Sequence, residues 1–113
     1  MIWNTENMIE EFISIGMKAY KKNSKGSIEA RKLDRHESVI IQGQEFTCWR
    51  EYTVFKMAEY ICKVIPKSRV EVMLDGNNSS IKIELNEFEQ EKLNRQMFLF
   101  LEKINYILFI LLL

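Results

Sequence analysis

The side chains of this chain with the strongest intrinsic reactivity are one histidine set among carboxylates and two cysteines on one helical segment. His36 is the only histidine, and it stands in the run Asp34-Arg35-His36-Glu37. An imidazole beside a carboxylate can act as a general base or as part of a metal site. A metal site needs three or four ligands at recognisable spacing, and no second histidine or paired Cys-x-x-Cys accompanies this one. The ordinary reading of His36 is a solvated turn residue. Cys48 and Cys62 become nucleophiles only where a base or a helix N-terminus lowers the thiol pKa, and Cys48 falls near the start of an expected helix. Both share a face with Tyr52 and Phe55, a setting in which cysteine serves as a small buried hydrophobe. Fourteen positions apart on one helix, they stand ~21 Å from each other, which no disulfide spans.

Glu87, Glu89 and Glu91 resemble a carboxylate cluster, but they fall in the first turns of an expected helix, where the dipole favours them. No glycine-rich phosphate loop and no Gly-x-Ser-x-Gly occurs. The chain is therefore expected not to be an enzyme, with no catalytic residue, no metal ligand and no cofactor.

Recognition chemistry is better represented. Between positions 18 and 35, Lys18, Lys21, Lys22, Lys25, Arg31, Lys32 and Arg35 stand against only two acids, Glu29 and Asp34. Such runs usually coat a solvated surface, and the sharper reading is a patch for phosphate or for an acidic partner. The whole chain carries 16 basic and 16 acidic residues, so no overall field draws it to a polyanion. Aromatic residues supply a second candidate: Trp49, Arg50 and Tyr60 are expected partner contacts, against the simpler reading of core packing. The third is the C-terminal stretch. From Tyr106 to Leu113 it is apolar on every side, and Tyr106, Phe109, Ile110, Leu112 and Leu113 are expected at an oligomer interface. The apolar run from Met97 is interrupted by Glu102, Lys103 and Asn105 and falls short of the ~20 residues of a membrane span. A membrane partner is not expected.

These residues must be positioned by elements that the residue pattern suggests. Met8, Ile9, Phe12, Ile13, Gly16 and Tyr20 recur at helical spacing after a cap at Asn4 or Thr5, with Trp3 as a staple against Met8. Ile28, Ala30 and Lys32 alternate with charged residues. With the run Val39-Ile40-Ile41 they suggest a hairpin turning at Asp34–Glu37, with Gly43 at a bulge or strand end. Thr47 caps a second helix that Pro66 stops, its apolar face made by Cys48, Tyr52, Phe55, Ala58, Ile61, Cys62 and Ile65. Val70, Val72 and Leu74, then Ile81, Ile83 and Leu85, alternate about a Gly76-Asn77-Asn78-Ser79 turn and predict a second hairpin. Asn86 with Glu89 predicts a capping box opening the last helix.

The expectation is an α+β fold in the order α-β-β-α-β-β-α. It has a largely antiparallel sheet, helices on one face and a long apolar C-terminal helix, all in one domain over residues 1–113. At 47% hydrophobic residues with 4 Gly and 1 Pro, the chain has the composition of a folded protein. Two unpaired thiols and the absence of a basic and apolar leader in the first residues suggest a reducing, cytoplasmic setting. The function expected is non-enzymatic protein binding by a homo-oligomer, here a homodimer. The neutral, motif-free composition looks like that of viral or mobile-element inhibitors of a host defence or nucleoprotein machine, the anti-defence proteins. The alternative is a small nucleic-acid- or nucleotide-binding module that uses the basic stretch over 18–35.

Overall fold

The computed structural model of the chain describes residues 5–66 and 69–112, with side chains described for 6–66 and 69–99. Its elements in order are α1 (Thr5–Asn23), α2 (Ile28–Asp34), β1 (Val39–Ile41), β2 (Gln44–Phe46), α3 (Trp49–Val64), β3 (Arg69–Met73), β4 (Ser80–Glu84) and α4 (Glu87–Leu112), with a 3₁₀ turn over Gly76–Asn78. The protein is α+β, but the order differs from the expected one: the segment expected as the first strand is a helix, and the segment expected as the second strand is itself a two-stranded hairpin. Ser27 caps α2 by accepting the Ala30 N–H at 3.0 Å. The residues it buries are Ala30 and Leu33, three apart as a helix requires. Ile28, which suggested a strand by alternating with Ala30, is exposed.

His36 explains where α2 stops. Its φ of 62° lies in the left-handed region, its N–H reaches the Leu33 carbonyl, and the Glu37 N–H reaches that of Lys32 at 2.9 Å. These two bonds are the Schellman ending, which usually takes glycine at the left-handed position. The hairpin that follows is shorter than expected and turns elsewhere. Ile41 pairs with Gln44, so the turn is Gln42-Gly43, with φ of 52° and 80°. Both residues left-handed is the type I′ turn that matches strand twist. Gly43 is thus a turn residue and not a bulge.

The expected single sheet is two separate antiparallel ribbons, β1–β2 and β3–β4. They stay apart because α3 lies between two cores and each ribbon closes a different one. Met8, Ile9, Phe12 and Ile13 of α1 join Val54, Met57 and Ile61 of α3, Leu93 and Met97 of α4, and the inner residues Val70, Ile81 and Ile83 of the second ribbon. Ala30 and Leu33 of α2, Val39 and Phe46 of the first ribbon and Trp49 of α3 form the other core, edged by Tyr52 and Phe55. A helix enclosed on two sides buries more than one stripe. Accordingly Trp49, Glu51, Thr53, Val54, Met57, Ala58 and Ile61 are all buried.

The α4 start matches its expected capping box. The Glu89 N–H donates to Asn86 Oδ1 at 2.8 Å, and the Asn86 N–H donates to Glu89 Oε1 at 3.1 Å. The α3 start departs from expectation. Its N-cap is Cys48, which contributes no side-chain bond, and the Thr47 N–H is taken up instead by Glu51 Oε2 at 2.7 Å. The expected staple residue Trp3 and the alternative cap Asn4 lie outside the described residues.

Candidate functional site

The polar side chains at the start of α3 are tied into the protein's own architecture. Trp49 is 8% exposed. Its Nε1–H donates to Asp34 Oδ1 at 2.9 Å, and Lys21 Nζ lies 3.5 Å from the same oxygen. This arrangement fastens α2 and the end of α1 to α3. Arg50 donates through Nε to the Ser79 carbonyl at 2.8 Å and through Nη2 to Glu10 Oε1 at 2.9 Å. Glu51, 6% exposed, receives the Gly76 N–H at 2.6 Å beside that of Thr47. Ser79, fully buried, accepts the Asp75 N–H and donates to the Gly76 carbonyl. The loop between β3 and β4 is thereby bolted to the N-terminal turn of α3 by charge-assisted bonds.

Of the expected partner contacts, Trp49 and Arg50 are engaged in this joint, and Tyr60 lies three turns farther along α3. Its ring stacks on Phe12 at 5.8 Å, and partial burial raises its phenol pKa above the ordinary value. The three do not converge. Tyr20 and Tyr60 flank a small cleft of about 30 Å³ lined also by Gly16, Thr53 and Lys56. Burial pushes the Tyr20 phenol above its ordinary pKa, helped by the neighbouring Tyr52 and Glu59. Thr53 Oγ1 is buried there without a hydrogen-bond partner among the described residues. The space is water-sized, not ligand-sized.

The basic residues Lys18, Lys21, Lys22, Lys25, Arg31, Lys32 and Arg35 are all exposed on the end of α1, the turn after it and α2. Lys21 alone of them has a carboxylate within ion-pair distance among the described residues. His36 is exposed in the turn after α2, and no group of three or more potential metal ligands occurs among the described residues. Cys48 is buried, whereas Cys62, expected on the buried face, is exposed. The side chains of Tyr106, Phe109, Ile110 and Leu112, and Leu113 as a whole, lie outside those described. No helix among the described residues is long and apolar enough to cross a membrane.

The feature that sequence reasoning missed is the gap between the ribbons. An open groove of about 460 Å³ runs over the second half of α3, lined by Phe55, Ala58 and Cys62 beneath, Val70, Val72 and Leu74 of the second ribbon beside, and Gln44 and Glu59 at the rim. β3 pairs with β4 alone among the described residues, so its other edge presents unpaired backbone groups. The alternation of Val70, Val72 and Leu74 signals one apolar face, but not that part of this face borders an open groove. Val72 remains 39% exposed. Comparison of the chain with protein-family models, curated proteins and solved structures finds no match.

Proposed function

We propose that the protein is a non-enzymatic interaction module that takes an extended segment of another protein into the groove over α3 by strand addition. The observation that carries this reading is an apolar trough, about 460 Å³, lined by Val70 and Val72 of β3, a strand whose other edge is unpaired among the described residues. A strand laid on such an edge gains main-chain hydrogen bonds, while its alternate side chains enter the apolar floor and give selectivity. The volume falls within the roughly 300–1,000 Å³ of typical ligand sites. A protein that works by occupying a partner's segment needs no reactive group. That is consistent with a viral or mobile-element inhibitor of a host defence or nucleoprotein machine, working as an oligomer.

Selection from a displayed library of extended peptides tests the reading, with Cys62 as the reporter. Selected peptides should carry aliphatic residues at alternate positions and slow alkylation of Cys62 by a maleimide. Peptides that leave Cys62 labelling unchanged, or no selected binders at all, would overturn it. A second reading has its own observation: seven exposed cations on α1, α2 and their connection. These support nucleic-acid or nucleotide binding through phosphate contacts. Such binding is expected to weaken steeply with rising salt, and fluorescence anisotropy on labelled oligonucleotides at low salt measures it.

A further inference from the structure

The outer face of α4 carries a pattern that the groove does not use. Leu93 and Met97 turn inward and are fully buried, while Phe88 is 73%, Phe98 47% and Leu99 54% exposed. Phe88, Glu91, Arg95 and Phe98 follow one another at spacings of three, four and three, which is the seam spacing of a coiled coil. At 100° per residue this seam lies on the side of α4 away from Leu93 and Met97. Glu91 and Arg95 are exposed, and neither forms an ion pair with another described residue.

The seam is complementary to itself in one direction only. Laid antiparallel on a second copy so that Phe88 faces Phe98, it places Glu91 opposite Arg95, and the two-fold axis repeats both pairs. Each Phe88 also comes beside the exposed Leu99 of the other helix. A parallel arrangement in register would stack Glu91 on Glu91 and Arg95 on Arg95, a like-charge juxtaposition that disfavours it. Two apolar layers flanking two oppositely charged pairs form an isologous contact, the kind a two-fold homodimer uses. We infer that α4 is a homodimerisation helix that pairs antiparallel with α4 of a second copy through Phe88, Glu91, Arg95 and Phe98. The contact is separate from the groove, so its failure would leave peptide binding untouched. The short overlap makes it a weak, concentration-dependent dimer.

Sedimentation equilibrium of the full chain across a wide concentration range, at low and high salt, reads the association constant. The wild-type chain should dimerise, and less tightly at high salt. Arg95→Glu and Glu91→Arg, each turning two attractive contacts into repulsive ones, should each weaken the dimer about tenfold or more. The double variant Glu91→Arg/Arg95→Glu, which restores both pairs with their signs exchanged, should recover the wild-type constant. Phe88→Ser should weaken the dimer independently of salt. Circular dichroism of each variant establishes that α4 is intact. A chain monomeric at every concentration overturns the inference, as does a dimer indifferent to Arg95→Glu or a double variant no better than the singles.

Discussion

The two halves of α3 are built on opposite rules. In the first, from Trp49 to Glu51, each polar side chain has a defined partner outside the helix: Asp34, Ser79 and Glu10, Thr47 and Gly76. In the second, Phe55, Ala58 and Cys62 line open space. Hydrogen bonds to charged groups are directional and costly to leave half-made, so the first half fixes where the loop after β3, and hence the ribbon, can stand. Apolar contact has no such direction, and the second half keeps surface that a partner could remove from water. The rigid end holds the open end in shape.

The largest expected effect comes from breaking the rigid end. Glu51→Ala leaves the part-buried Thr47 and Gly76 N–H groups without their charged acceptor and should cost about 3 kcal/mol in urea unfolding. Glu51→Gln keeps an acceptor for one of them but offers an N–H where the other needs an acceptor, and should lose an intermediate amount. If Glu51→Ala left stability unchanged, the joint would be incidental to the fold. A smaller effect is expected at the middle of the helix, where α1 meets α3. A Cβ on Gly16 would sit 3.1 Å from Thr53 Cγ2, and Thr53 is 2% exposed, so close packing hinders relief. Gly16→Ala gains about 1 kcal/mol of helix propensity but overpacks this crossing at a cost of roughly 1–3 kcal/mol, so the net should be destabilising. In a Thr53→Ser background, where Cγ2 is gone, the same substitution should become stabilising. Thermal or urea unfolding of the four proteins of this cycle checks the sign change.

What could be read in the residues follows the range of the forces involved. The Asn86–Glu89 box spans four residues and closes on itself, so its spelling is sufficient. Likewise the second ribbon forms where Val70, Val72, Ile81 and Ile83 alternate. The segment over Ile28–Asp34 is misleading because Ile28, Ala30 and Lys32 alternate by type, while the packing that decides the matter is between Ala30, Leu33 and the distant Phe46 and Trp49. Glu51 reads as a solvent-facing charge on the polar side of an amphipathic helix. Only the loop around Gly76, twenty-five positions later, turns it into a buried acceptor. The groove is less legible still, since it exists because two hairpins fail to pair, and nothing local to either one encodes the space between them. Trp49 illustrates the converse: an aromatic beside an arginine suggests a binding anchor, and the indole N–H is taken up by Asp34.

The smallest expected effect on stability falls on the open half of α3 and separates its role from that of the rigid half most sharply. Cys62 is exposed at the groove and Cys48 is buried at the helix start, so one residue type samples both environments. Cys62→Lys places a long, flexible, solvated side chain where no core contact is lost, and surface changes of this kind stay within about 0.5 kcal/mol. The same substitution carries a charge into the apolar trough, and a peptide seated there would have to desolvate or displace it. Peptide affinity should therefore fall more than tenfold while the unfolding midpoint hardly moves. Cys48→Lys should do the reverse and destabilise the fold, because it puts a long ammonium side chain at a buried position. Equal stability losses in the two variants, measured by urea unfolding, would mean that the second half of α3 belongs to the core no less than the first and that the groove is closed in solution. An intact fold with weakened peptide binding in the Cys62 variant alone would place recognition at the groove.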